Sequence, residues 1–226
     1  MSFVRTSSYS TDPRPYIRGF LTLQRDIRSL FEFIHPADGN LNSYSEHIGI
    51  LLVRACFEVE TNLRAILNEN GYTSRSRWTM NDYKKVEQSH RLSEYEAHLP
   101  EWVGARNIVR PFEYWSKGGT LDWYEDYHSY KHDRVENLHR ATFQQLIHSW
   151  CGVFVLLSAQ YFLEAFPVEK QTIGFAHGPF AGNLWHGIGD YLKVKFPTSW
   201  PEAEKYDFTL DGSSFSDPNF ARVFQY

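Results

Sequence analysis

The sequence predicts a mainly α-helical fold, and three observations carry that prediction. Apolar residues recur at three- and four-residue steps over 20–34 and again over 48–66, the period of a one-sided helix. A third stretch, "SWCGVFVLLSAQYFLEAF" (149–166), is apolar almost all round, as a helix at the centre of a bundle must be. Only two short segments, "YLKVKF" (191–196) and "YDFTL" (206–210), alternate like strands. The expectation is a bundle of four or five helices, with an irregular C-terminal extension that holds one short β-hairpin.

Residues 1–14 are polar and rich in Ser and Thr, and read as an arm with little structure of its own. A first helix follows over 15–36. Pro15 suits a first helical position, and Phe20, Leu23, Ile27, Leu30, Phe31 and Ile34 share a face. "HPADGN" ends it. The segment 43–71 is the clearest helix. Ser43 and Glu46 have capping-box spacing, Gly71 is a C′ stop, and Ile48, Leu52, Ala55, Val59, Leu63 and Ile66 form its buried face. Glu58 and Asn62 border that face, within about 80° of its centre at about 100° per residue. A carboxylate so placed asks for a cationic partner. Glu60 and Arg64 point away and read as a solvated i,i+4 pair.

A basic loop, "YTSRSRW" (72–78), leads to one or two short helices within 79–99, capped by Thr79 or Asn81. Residues 100–119 lack a helical period. Pro100, Pro111 and Gly118–Gly119 mark an extended crossing, anchored by Trp102, Phe112, Tyr114 and Trp115. The segment 120–166 reads either as one helix or as two that meet near Asp133. With 43–70 it forms the centre of the bundle. The helical domain is thus 15–167, and 168–226, rich in Gly, Pro and aromatics, is the extension wrapped on it.

Composition narrows the function. Hydrophobic residues make up 42% of the 226 and charged residues 22%, as in an ordinary soluble domain, and the net charge of −4 gives no global attraction to nucleic acid. Any RNA contact needs a local basic patch. Cys56 and Cys151 sit in apolar runs, too few for a disulfide framework or a zinc set, which points to a reducing cytoplasm. The first residues hold no signal-peptide core. Ser158, Gln160 and Glu164 interrupt the best membrane candidate. "GFAHGPFAGN" (174–183) lacks phosphate-loop spacing, no serine sits in a nucleophile elbow, and no cofactor is expected.

Chemistry concentrates in "YHSYKHDRVENLH" (127–139). Three readings stand. His128 and His132, one turn apart with Glu125 and Glu136 nearby, can form a metal site. Tyr124, Tyr127, Tyr130 and the histidines can instead pack between helices, with Lys131, Asp133 and Arg134 in an ion-pair network closed by Glu58. In the third, Arg134 and His139 form R-x4-H. Arginine grips phosphate bidentately and stays charged, and histidine exchanges protons near neutral pH. Together they can cleave RNA without metal, with Glu58 orienting the cation. Lys131, His132, Asp133, Asn62 and Arg110 are then the binding residues. Trp78 with Arg77, Lys84 and Lys85 has the character of a stacking patch. The aromatic content of 17% favours a homodimer interface.

Four blocks, "RACFEVE" (54–60), "RPFEYW" (110–115), "YHSYKHDR" (127–134) and "LHRATF" (138–143), resemble in content and order a group of bacterial proteins. The resemblance spans roughly residues 43–166, the predicted helical core. More distantly, the layout is similar to the HEPN superfamily of small helical bundles. Many of its members are dimeric, metal-independent RNases of toxin–antitoxin, phage-defence and CRISPR systems, with an R-x4–6-H motif lining a cleft across the dimer axis. The resemblance assigns that motif to Arg134 and His139. HEPN motifs usually carry a polar residue after the arginine, where this chain has Val135.

Overall fold

A computed structural model describes residues 14–72, 77–161, 184–199 and 224–226. The chain is mainly helical, as its periodicity predicts. Helix α1 (Arg14–Leu30) buries Ile17, Phe20, Leu23, Ile27 and Leu30 on one face. It ends earlier than the apolar pattern suggests, because 31–34 turn off as the chain heads into Pro36.

Helix α2 (Glu46–Glu69) buries every residue of its predicted face. Its cap is Ser45, not Ser43. The extended backbone of Ser45 aims its hydroxyl at the amide of Ile48, which donates at 3.2 Å. The carbonyl of Ser43 instead accepts from the Phe143 amide at 2.7 Å, tying α2 to the last helix. At the other end Gly71 adopts φ +74°. Its amide reaches Asn68 and that of Tyr72 reaches Leu67, both at 2.9 Å, a Schellman closure that needs a left-handed residue.

Two short helices follow, α3 (Met80–Tyr83) and α4 (Val86–His90), with the expected Thr79 cap completed by Asp82. The helical expectation fails after them. Residues Glu96–His98 form strand β1, paired antiparallel with β2 (Ile108–Val109). Ala97 and Glu96 are both buried, and the Glu96 carboxylate meets Arg110 and Lys195 from the neighbouring segments of the sheet. Strands β3 (Leu184–His186) and β4 (Lys193–Lys195) complete an antiparallel sheet of order β2-β1-β4-β3. The strand expected in 191–196 is therefore present, but it pairs with β1 and β3. Its anticipated partner, 206–210, lies outside the described residues. The β3–β4 turn carries two successive positive-φ residues, Gly189 and Asp190, as a tight hairpin turn requires.

The segment 120–166 is divided at Asp133. Helix α5 (Asp122–His132) stops where Asp133 takes φ −142°, ψ 92°. Its carboxylate then caps the one-turn helix α6 (Arg134–Asn137) by accepting from the Glu136 amide at 3.1 Å. A 3-10 turn, Leu138–Arg140, leads into α7 (Phe143–Tyr161). Helix α7 is buried nearly all round and packs chiefly on α2, with α1 and α5 against both. Each large apolar side chain so buried contributes about 1.5–3 kcal/mol. Cys56 and Cys151 are free and buried. Among the described residues no helix is long and apolar enough to cross a membrane.

The long crossing is fastened by one carboxylate. Asp38 accepts from Trp102 Nε1 at 2.7 Å and from the amides of Ala105 and Arg106 at 2.8 and 3.2 Å. Gly104, at φ +128°, lies so close to that carboxylate that a Cβ there would collide with it.

Candidate functional site

The α5–α6 turn puts a charged rim on the surface. Asp133 breaks the helix and caps the next turn, so the chain bends outward and the side chains of 131–136 are exposed. Arg134 donates from Nη1 to Glu46 Oε2 at 3.3 Å, and both side chains are more than half exposed, at 63% and 55%. Glu46 stands in the first turn of α2, so this pair bridges α6 to the start of α2. His139 lies on the 3-10 turn, also exposed. Five helical positions rotate a side chain by about 140°, so R-x4-H does not bring the two together on one face. They make no hydrogen bond to each other. Val135, between them, is 80% exposed. Arg140 extends the rim, donating to Asp126 Oδ1 at 3.3 Å, while Gln145 holds the other oxygen of Asp126.

Behind the rim, α5 faces α2 through tyrosines. Tyr124 donates to Glu60 Oε1 at 3.0 Å, and Lys131 Nζ donates to the Tyr127 hydroxyl at 3.0 Å. Burial, reinforced by the Glu60 charge, pushes both tyrosine hydroxyls well above their ordinary range. His128 and His132 bring their Nε2 atoms to 3.2 Å. Burial, then His132, Lys131 and Arg77, hold His128 below the usual histidine range. Of the packing expected for the front half of this segment, the tyrosine part is present, with Tyr127 and Tyr130 buried, while His128 and His132, expected to pack with them, are exposed.

The remaining candidates lie elsewhere. Glu58 does not reach Arg134. It sits twelve residues along α2 from Glu46, about 18 Å at 1.5 Å per residue, and its carboxylate presses on the α-carbon side of Gly19 in α1. Burial raises its pKa, and Arg54 opposes the shift. The closed network of Glu58, Lys131 and Arg134 is therefore replaced by two separate contacts, Arg134 to Glu46 and Lys131 to Tyr127. Asn62 is fully buried. It donates to the Glu58 carbonyl at 2.8 Å and accepts from Gln160 at 3.0 Å, a helix-packing role rather than a binding one. Arg110 is engaged by Glu96, with Nε at 3.2 Å, at the sheet and away from the rim. Trp78 stacks on Tyr83 with rings 4° from parallel, and Arg64 donates to the Tyr83 hydroxyl at 3.1 Å. Trp78 is thus a packed ring. Among the described residues no group of three potential metal ligands assembles. Two surface grooves, of 540 and 550 Å³, run along α1 and include none of the rim residues.

Sequence reasoning missed Glu46, Glu60 and Asp126. It assigned Glu46 to a cap and Glu60 to a solvated pair with Arg64. The signal for Glu60 was Tyr124 and Tyr127 at i,i+3 on an apolar face, since buried phenol hydroxyls require an acceptor.

Among the described residues two large apolar side chains of α2 stand exposed, while Val53 between them is half-buried against the core. Ile50 and Phe57 are 58% and 62% exposed, and with Glu46 and Val53 they follow a four-three-four spacing on one stripe. No family model, curated protein or solved structure matches this chain.

Proposed function

We propose that this protein is an HEPN-like helical bundle that binds RNA as a homodimer, in which Arg134 and His139, which do not share a face within one chain, meet across the groove between the two copies as the metal-independent ribonuclease pair. The observation that carries the reading is the exposed rim of Arg134, Val135, His139 and Arg140, which Arg134 ties through Glu46 to the α2 stripe that carries exposed Ile50 and Phe57. A helix apolar on two faces is expected to be covered on both. The stripe is self-complementary. In an antiparallel pairing of two α2 helices, Ile50 of one copy meets Phe57 of the other, as a two-fold interface demands. Glu46 lies at the edge of that stripe, so its partner Arg134 would flank the groove between two copies.

In that groove His139 accepts the proton of a ribose 2′-hydroxyl. The 2′ oxygen bonds to phosphorus, the bond from phosphorus to the 5′ oxygen breaks, and the departing oxygen takes a proton from water. Arg134 leaves Glu46 for the phosphate and holds the charge of the transition state. Exchanging one exposed ion pair for another costs little, since such pairs are worth about 0–1 kcal/mol.

The test is degradation of single-stranded RNA in the presence of EDTA. His139→Ala should lower the rate by about 10²–10⁴-fold, the usual contribution of a general base. Arg134→Ala should weaken RNA binding as well. Equal degradation by wild type and His139→Ala removes the ribonuclease reading. Sedimentation of Phe57→Asp tests the assembly, with a monomer expected where the wild type is a dimer.

A further inference from the structure

We propose that His128 and His132 form an open site for one divalent transition-metal ion of the imidazole-preferring class, copper, nickel or zinc. The inference does not rest on the ribonuclease reading.

The geometry is that of a chelate. The two residues are one turn apart in the last turn of α5, so a regular helix fixes their separation. Their rings stand at 65° with centroids 4.4 Å apart, and the two Nε2 atoms converge to 3.2 Å. Two imidazole nitrogens at 2.0–2.1 Å from a tetrahedral ion lie about 3.3–3.4 Å apart. The observed spacing is within about 0.2 Å of that, so the rings need only turn their Nε2 lone pairs towards a common point beside the line that joins them. In the metal-free protein the same approach requires a proton on one Nε2 and a lone pair on the other. Metal binding moves that proton to Nδ1 of the same ring, leaving both Nε2 lone pairs for the ion.

The surroundings leave room for the ion. Both rings are exposed. Lys131 Nζ is bonded to the Tyr127 hydroxyl and Arg134 to Glu46, so neither occupies the gap between the rings, although the charges of Lys131 and Arg77 reach His128 and oppose the ion. Glu125, three and seven residues earlier on the same face, adds negative charge. No third protein ligand joins the pair among the described residues, so the other coordination positions belong to water or to a donor atom on a bound molecule. Imidazole ligation with open positions favours copper(II) over nickel and zinc, the general order of affinity for such sites.

The experiment is titration of the full chain with copper(II), read by electron paramagnetic resonance and by thermal unfolding with and without zinc. Wild type should bind one copper with two-nitrogen coupling, and zinc should raise its Tm, because the ion binds only the helical pair tightly. His128→Gln and His132→Gln should each weaken binding at least tenfold and abolish the Tm rise. Both sites are exposed, so circular dichroism should show the fold intact. His139→Gln should bind as wild type does. Equal affinity in wild type and in either His128→Gln or His132→Gln, or no binding by wild type, overturns the proposal.

Discussion

Two polar segments of equal length, "VEQSHRLSEYEAH" (86–98) and "HSYKHDRVENLHR" (128–140), look alike in sequence and behave oppositely in the fold. The first turns its titratable groups inward. Glu87 accepts from the amide of Ser93 at 3.0 Å and from its hydroxyl. His90 is buried, its Nδ1 2.7 Å from the Ser89 hydroxyl, which in turn lies 2.6 Å from the Tyr226 hydroxyl. Glu96, with a side chain 8% exposed, gathers Arg110, Lys195 and His98 around one carboxylate. The second segment turns the same residue types outward, where His128 meets His132, Arg134 meets Glu46 and Arg140 meets Asp126, each through a single contact. Charges consumed by their neighbours hold structure, and charges left at the surface are available to a ligand.

Removing the centre of the inner network should have the largest effect. Glu96→Ala is expected to lower stability by about 2–3 kcal/mol in urea unfolding, because charge-assisted bonds to a buried carboxylate are lost together. The cost is held to this size because Arg110 and Lys195 are 52% and 39% exposed and can turn to water. Burial opposes ionisation of Glu96, and the bonds from Arg110, Lys195 and His98 outweigh it, so its pKa is lowered. A lowered carboxylate stabilises the fold above the unfolded pKa of about 4.3 and loses that contribution as pH falls through the folded value. The difference between wild type and Glu96→Ala should therefore shrink in acid. A constant difference from pH 7 to pH 3 would mean that the charge does not matter.

His90 should give the next largest effect. Burial lowers its pKa to about 3. The unfolded chain binds its proton below about 6.5 and the folded chain does not until about 3, so stability rises with pH across that window and is complete above it. Between pH 7 and pH 5 the protein should lose about 2 kcal/mol through this residue. His90→Asn should flatten that part of the profile, as measured by urea midpoints at the two pH values.

Asp133 divides the two halves of the outer segment, and its substitution should matter less. Asp133→Ala removes the hydrogen bond to the Glu136 amide and should cost about 1 kcal/mol, the usual worth of an N-cap. The more telling readout is the rim itself. Without the cap, α5 gains freedom to continue through 133, so proteolysis near 134–140 should change more than global unfolding does.

The helices were legible because their signals are local. The stripe of α2, the Gly71 stop and the all-apolar α7 follow from spacing alone, and the break at Asp133 was one of two readings that spacing allowed. The sheet was not legible, because β1, β2 and β4 are two or three residues long and β4 pairs with β1 from almost a hundred residues away. Strands so short carry little periodicity, and only the pairing of Glu96 with Lys195 reveals them. The candidate site divides the same way. The exposure of Arg134, His132 and Lys131 follows from a polar segment at a helix end. Which carboxylate meets Arg134 is a tertiary fact. The half-buried position of Glu58 on α2 calls for a cationic partner, but the helix sets it about 18 Å from the residue that Arg134 meets. Asn62 and Arg110 failed for a related reason: each is polar at an apolar boundary because it ties two elements together.

The smallest effect on stability should come from the residue most exposed to function. Arg134→Ala breaks one surface ion pair with Glu46, at 3.3 Å between two side chains more than half in water. Such pairs contribute about 0–1 kcal/mol, so the change in unfolding free energy should stay within about 0.5 kcal/mol. Glu46→Ala should be equally mild and frees the guanidinium. If Arg134 holds phosphate, Arg134→Ala weakens RNA binding while Glu46→Ala strengthens it, and both effects fade with added salt. Filter binding at two salt concentrations separates this from a structural role, in which both variants would lose stability together and neither would change RNA affinity.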